Sequence, residues 1–414
     1  MKTPLLIATA CLLALLSTVG AALPYPLLPP LFAADASNSF NHYMGLPPKL
    51  LFGIALSINP LGLLIGSALL GPLSDRFGRR PVLLSSALGA ALGHAITAWA
   101  LLVQSYPLFI LARFVTGLME GNASVARALL ADRLTGDSRV RALSWLNGAF
   151  YAGWLAGPLL AGVTLVFGIA VPFWIATGAL LLAAVLVAIS MPAEAPSKAV
   201  TSWWQVARDQ HTLHLLRHPV LRTLFIIQLA YTCGVTAFYE FYPLWLVEVA
   251  GYDARGISWV TASLCGLMIV SSFFAGRPSH ILPLSRVGFH AYFVAAAIAC
   301  LGIGNVWVGL AAIILFGIPN SFYNALLPSW CAERFGHYGQ GAVMGLISTT
   351  FCLANIIMAL LGSVLTLIDT RLILLLGAAF SSWAACRIGH WQRELAQIPT
   401  QVLAQIPAPQ TENV

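Results

Sequence analysis

Apolar residues along this chain come in long, nearly unbroken stretches, unlike the short alternations or amphipathic stripes of a water-soluble fold. Six stretches run near residues 5–32, 50–70, 82–103, 106–130, 142–167 and 170–190, and six more near 221–247, 258–276, 286–303, 306–331, 340–366 and 371–390. A hydrocarbon core of roughly 30 Å is crossed by about 20 apolar residues in helical form. Lipid offers no partner to backbone N–H and C=O groups, so segments of this length must bond internally as helices. The pattern predicts an all-α membrane protein of about twelve transmembrane helices.

The stretches are punctuated by Gly, Pro, Asn and charged residues, and every connector but one is short. The exception, Met191 to Pro219, carries Pro192, Glu194, Pro196, Lys198, Trp203, Trp204, Arg208 and Asp209 and reads as a polar cytoplasmic linker with an amphipathic surface helix. It separates an N-terminal six-helix half (1–190) from a C-terminal one (220–414) that ends in a short cytoplasmic tail. A shift of 200 residues lays Gly117 on Gly317, Ala142 on Ala342, Leu146 on Leu346, Leu160 on Leu360 and Gly162 on Gly362. Tyr25-Pro26-Leu27 likewise matches Tyr242-Pro243-Leu244. Six crossings is an even number, so the two halves share one orientation, as parallel repeats do.

Composition strengthens the membrane reading: 59% of residues are hydrophobic and 8% charged, with a mean hydropathy of +0.85. The first apolar run continues through Leu31, longer than a cleavable signal peptide requires. The net charge of +7 follows from a bias of placement. With the N-terminus inside, sixteen of the 21 Lys and Arg residues fall on the cytoplasmic side, Lys49, Arg255 and Arg371 on the other, and Arg113 and Arg127 within a span. This predicts an inner-membrane protein with both termini in the cytoplasm and makes a nucleic-acid partner unnecessary. The seven cysteines are scattered and never at CxxC spacing, which indicates neither disulfides nor a metal site. His211, His214 and His218 have helical spacing, but no acid completes a ligand set. No GxxxxGK[ST] sequence is present, so ATP is not the fuel, no cofactor is expected, and an ion gradient must drive any uphill step. No nucleophile, base and orienting acid cluster at one depth, which argues against an enzyme.

Four patterns interrupt the apolar background. Between the second and third spans lies Gly71-Pro72-Leu73-Ser74-Asp75-Arg76-Phe77-Gly78-Arg79-Arg80-Pro81. A positive-inside stop signal accounts for its arginines, though not for an acid and two glycines at these offsets. Span one has Gly20, Pro26 and Pro29 in a G-x5-P-x-x-P arrangement, and span five has Gly153, Gly157, Pro158 and Gly162, a small-residue packing face with a bend. Span four has Arg113 and Gly117, followed by Glu120 and Arg127. Arg113, Glu120 and Arg127 are seven apart, almost two helical turns, and so share a face. Ionisable groups inside a span are costly and mark function by default.

Together these segments resemble the major facilitator superfamily, and within it the twelve-span drug-proton antiporters of the tetracycline-exporter kind. The resemblance implies that Gly71, Asp75, Arg76, Gly78, Arg79 and Arg80 form a gating loop, and that Gly153, Gly157, Pro158 and Gly162 are the antiporter motif of exporters. Two departures stand out: Ser17 occupies the place of the first-span aspartate of tetracycline exporters, and span nine, with His290 and Tyr292, has no acid. The proton carrier is therefore expected at Glu120, beside Arg113, or at Glu240 in span seven. Tetracycline itself is not the expected cargo. Candidate cavity residues are Arg113, Glu120 and Arg127 in the first half, with Gln228, Tyr231, Tyr239, Asn320, Tyr323 and Asn324 in the second, amphipathic groups suited to a wet, apolar-walled site. The two arginines favour an anionic or zwitterionic cargo such as a siderophore. The expectation is proton-coupled export of a small organic molecule by alternating access, in a chain that functions as a monomer; uptake of a nutrient by a symporter of the same fold is the alternative.

Overall fold

The computed structural model describes residues 3–33, 38–134, 136–191, 216–275, 283–335 and 340–397 of the 414-residue chain. The linker expected between the halves, with His211 and His214, falls almost wholly outside these residues, as does the C-terminal tail. Among the described residues the regular structure is entirely helical. Eleven helices are long and apolar enough to cross a bilayer, and the shorter apolar helix Thr349–Leu365 stands where the eleventh crossing was predicted.

The crossings are numbered here as spans. Span 1 is Thr3–Ala22 continued by Pro24–Phe32, span 2 Pro48–Phe77, span 3 Arg79–Leu102, span 4 Tyr106–Glu120 continued by Ala123–Arg133, span 5 Gly136–Thr164 and span 6 Val171–Ser190. Span 7 is Pro219–Ala250, span 8 Ala254–Ala275, span 9 Pro283–Gly302, span 10 Val306–Phe335, span 11 Gln340–Leu365 and span 12 Thr370–Gln397.

Two spans are interrupted where their sequences demand it. Span 1 steps at Leu23, ahead of the proline-dense Pro24–Phe32, because successive prolines withdraw helix donors. Span 4 pauses at Gly121 and Asn122, where ψ is 10° and −2° and the regular helix is interrupted. Arg127 thus stands on a separate helical segment from Arg113 and Glu120. Spans 2 and 3 are joined by the single residue Gly78, at φ 92° and ψ 152°, a conformation that a side chain would strain.

Backbone packing divides the chain into two compact units: Met1–His211 with Pro243–Ala262 and Ala359–Leu367, and Thr212–Tyr242 with Ser263–Met358 and Ile368–Val414. In the first, span 1 packs on spans 5 and 6, span 3 on spans 4 and 6, and span 2 on span 4. Leu13, Leu83, Leu146 and Val187, from spans 1, 3, 5 and 6, are fully buried in its core. In the second unit span 9 packs on spans 10 and 12, the same neighbours that span 3, six crossings earlier, finds in spans 4 and 6. The repeat seen in sequence is thus a repeat of packing.

Glycines set the closest approach of spans 2 and 4. A Cβ on Gly62, Gly66, Gly117 or Gly121 would run into the backbone of the facing helix, so two small-x-x-x-small faces lie against each other. Glycines do the same for span 5: Gly153 faces Thr18 and Leu15, and Gly157 faces Val19 and Ala22, all on span 1, while Gly162 faces Ser258. Pro158 lies inside that helix.

Candidate functional site

Close packing of spans 2 and 4 brings the polar side chain of Asn59 against the charged stretch of span 4. Its Nδ2 donates to the Arg113 backbone oxygen at 3.3 Å and to Glu120 Oε2 at 3.4 Å. The other carboxylate oxygen, Oε1, lies 3.0 Å from His94 Nε2 on span 3. His94 and Glu120 are both fully buried, and the imidazole stacks beside Phe173 of span 6, with ring centroids 6.2 Å apart.

Arg113, also fully buried, does not reach Glu120 directly. Its guanidinium forks onto span 1, where Nη1 donates to the Gly20 carbonyl at 3.2 Å and Nη2 to the Ala21 carbonyl at 3.3 Å. The planar fork suits two adjacent acceptors. Gly20 is indispensable to this geometry: a Cβ there would stand 2.5 Å from Glu120 Oε1 and would overlap the His94 ring. The glycine of the first-span motif is thus the gap into which a buried acid–histidine pair fits. Arg127, beyond the step in span 4, is half-buried with its guanidinium carbon 5.4 Å from the Phe150 ring centre. A second polar chain crosses the step, where Ser17 Oγ donates to Asn122 Oδ1 at 3.4 Å and Asn122 Nδ2 to Ser86 Oγ at 3.1 Å. Ser17 therefore faces the same break in span 4.

The other unit holds an uncharged network between spans 7 and 10, and it gathers all six cavity residues expected there. Tyr231 OH donates to Asn320 Oδ1 at 3.1 Å, and Asn320 Nδ2 donates to Tyr239 OH at 3.1 Å. Asn324 Nδ2 donates to Asn320 Oδ1 at 3.2 Å, and Tyr323 OH donates to Gln228 Oε1 at 2.9 Å. Gln228 Nε2 in turn donates to Thr232 Oγ1 at 3.2 Å. The rings of Tyr231 and Tyr323 stack with centroids 3.4 Å apart, and those of Phe238 and Phe316 at 3.8 Å. Seven residues up span 7 correspond to seven down span 10, so the two helices are antiparallel and in register over two turns.

Glu240 lies on span 7 but outside this network. It is 1% exposed, and neither carboxylate oxygen has a hydrogen-bond partner among the described residues. In the turn between spans 2 and 3, Arg79 Nη1 donates to Ser74 Oγ, and Arg80 Nη2 to the Ala188 carbonyl at 2.7 Å, tying the start of span 3 to the end of span 6. Gly71 is half-buried and Gly78 makes the turn; the side chains of Asp75 and Arg76 lie outside the described residues. Sequence reasoning missed His94, Asn59 and Asn122. His94 had a signal, as the lone ionisable residue in the apolar run 82–103; the two asparagines had none, because an amide in a span is as often a local bond as a site.

Comparison with known proteins agrees with this architecture. The sequence profile of the Major Facilitator Superfamily matches residues 10–359. The chain is 32% identical over 169 residues to the class B tetracycline resistance protein of Escherichia coli, 40% of this chain and 39% of that protein. It is 26% identical over 354 residues to the class H tetracycline resistance protein of Pasteurella multocida, 82% of this chain and 84% of that protein. The first relatives are thus matched over about two fifths of their length. The human organic anion transporter MFSD10 shares the fold, with a TM-score of 0.68 at 20% identity over 94% of this chain and 100% of that one.

Proposed function

Because the chain belongs to the Major Facilitator Superfamily, and is a transporter and not an enzyme, we propose that it exports a small organic molecule from the cell by proton-driven alternating access. The observation that carries the proton is the buried Arg113–Glu120–His94 cluster. Three ionisable groups at full burial are costly to keep in a membrane span, by about 2.5–3.5 kcal/mol for a charged residue on an insertion scale. They persist where a charge has work to do.

Outward direction is supported by the relatives' names and by the span-5 motif. A membrane transporter that gives drug resistance does so by removing the drug, and Gly153 and Gly157 seat span 5 directly on span 1, the helix that also carries Gly20. The cargo site is assigned to the Tyr231, Tyr239, Asn320, Tyr323, Asn324 and Gln228 network of the second unit. Separately, the excess of Arg113 and Arg127 over Glu120 in span 4 supports a cargo with an anionic group. In this reading the working form is a monomer in the inner membrane, and the bias of Lys and Arg placement supports both termini in the cytoplasm.

The test begins with the metabolites trapped inside a deletion strain relative to its complement. A compound so identified should accumulate in everted vesicles, acidified inside by respiration, only when this protein is present. Accumulation confined to right-side-out vesicles would overturn export and make the protein an uptake symporter.

A further inference from the structure

We propose that the coupling proton binds at His94 Nδ1, and that Glu120 is the fixed counter-ion which prepares it. This deepens the reading of a proton-driven carrier, and rests on it for the use of the site but not for the site itself.

The two carboxylate oxygens of Glu120 both have polar partners. Oε1 faces His94 Nε2 at 3.0 Å and Oε2 faces Asn59 Nδ2 at 3.4 Å. With the hydrogen on Nε2, an acceptor-only, ionised carboxylate satisfies both contacts. A ring nitrogen facing a carboxylate carries the hydrogen, so the neutral imidazole is the Nε2–H tautomer. Its lone pair is then on Nδ1. That atom is buried and has no hydrogen-bond partner among the described residues. A buried acceptor left unmatched is costly, and here the lone pair is the one point of the cluster at which a proton can be added without breaking a bond already made.

The groups around the imidazole support the assignment. Span 6, which supplies Phe173, has no ionisable residue in Val171–Ser190, and the one ionisable side chain of Thr3–Ala22 in span 1 is Cys11, more than two turns from Gly20. From span 2 the reaching group is neutral Asn59; its ionisable residues Lys49, Asp75 and Arg76 lie near its ends. Span 4 supplies Glu120 and Arg113, the latter turned onto the Gly20 and Ala21 carbonyls; its second segment carries Arg127, Asp132 and Arg133, and Arg127 lies over Phe150. Proton uptake forms one N–H bond at Nδ1 and breaks none within the protein. It takes the His94–Glu120 pair from net −1 to a neutral imidazolium–carboxylate pair and adds one positive charge beside Arg113. Return to the Nε2–H tautomer releases the proton. Glu120 and Asn59 act through His94 as positioning residues.

The experiment uses the full chain in phospholipid nanodiscs with 15N-labelled histidine, the His94 signal being identified by its loss in His94→Gln. The expected result is an Nε2–H tautomer at alkaline pH that becomes doubly protonated on acidification, while infrared difference spectra show no carboxylic-acid C=O band sensitive to Glu120→Gln. In Glu120→Gln, which removes the counter-ion, the doubly protonated His94 signal should be weaker than in the wild type at the same acidic pH. A carboxylic-acid band that appears on acidification and vanishes in Glu120→Gln, an Nδ1–H tautomer, or a His94 signal unmoved by pH overturns the proposal. If His94→Gln does not fold, the histidine signal that moves in Glu120→Gln identifies His94, and its titration in the wild type decides. Should His94 titrate as described while vesicles show no proton-driven transport, the coupling reading fails and the site stands.

Discussion

Lys49 Nζ lies 2.7 Å from Glu248 Oε1, an ion pair between the first turn of span 2 and the last turn of span 7. The same ammonium donates to the Thr366 carbonyl at 2.6 Å, just beyond span 11, and one turn along span 2 Gly53 faces Ala359 and Ser363. All these residues belong to one compact unit and lie at the end of span 2 opposite Gly78. Side-chain exposures of 18% and 25% place the pair in the partly wet regime where such bridges contribute about 0.2–1 kcal/mol. In a cysteine-free background, Lys49→Ala should therefore raise labelling of Ser363→Cys by an impermeant maleimide by about two- to five-fold. Exchange of the charges in Lys49→Glu with Glu248→Lys should restore most of the protection; equal labelling in all three would show that the pair holds nothing shut.

Arg113→Lys tests the fork. An ammonium cannot meet the Gly20 and Ala21 carbonyls as two parallel donors, so one buried acceptor loses its partner at a cost of about 1–3 kcal/mol. The prediction is a lower unfolding temperature in detergent with the protein still inserted, and a larger loss for Arg113→Ala, which leaves Glu120 and His94 without the neighbouring cation.

Two conservative tyrosine substitutions should differ in spite of identical chemistry. Tyr323→Phe leaves Gln228 Oε1 buried without its donor, whereas Tyr231→Phe leaves Asn320 Oδ1 still bonded to Asn324 Nδ2. Thermal shift measurements should find Tyr323→Phe destabilised by about 1–3 kcal/mol and Tyr231→Phe by less than about 1 kcal/mol. Stacking of the two rings survives in both variants, so a reversed order would mean that the hydroxyl bonds are not the deciding contacts.

Gly117→Ala should damage the protein more than its one methyl suggests. The added carbon meets the Asn59 carbonyl, which is backbone and cannot rotate away, so spans 2 and 4 must separate. Overpacking of this kind costs about 1–3 kcal/mol, and separation also withdraws Asn59 from Glu120. Reduced thermal stability together with slower proton-driven transport is expected; a normal transport rate would uncouple Asn59 from the site.

Hydropathy made the fold legible because lipid admits so few solutions: long apolar runs must be helices, and an even count of crossings sets the repeat. The same logic located Arg113 and Glu120, since charges inside a span stand out against their background. What it could not supply was pairing. Periodicity put Arg113, Glu120 and Arg127 on one helical face, but the step at Gly121 and Asn122 places Arg127 on another segment, and Arg113 bonds to span 1 instead of to Glu120. Glu120's partner came from span 3, 26 residues earlier in the chain, where His94 gave no local pattern to read. The second-half network was easier, because Tyr, Asn and Gln concentrated on two spans have few partners but each other.

Gly20 gives the first helix a role that its proline motif does not suggest. In an α-helix each residue is offset by about 100° from the next, so only a large rotation of span 1, one that replaces Gly20 by Val19 or Ala21, would carry a side chain into the volume that the His94–Glu120 pair occupies. Movement of that helix and the state of the imidazole therefore contend for one space, about the size of a methyl group. A carrier built this way would need no long-range relay to make motion answer to a proton: a single missing carbon atom does the gauging.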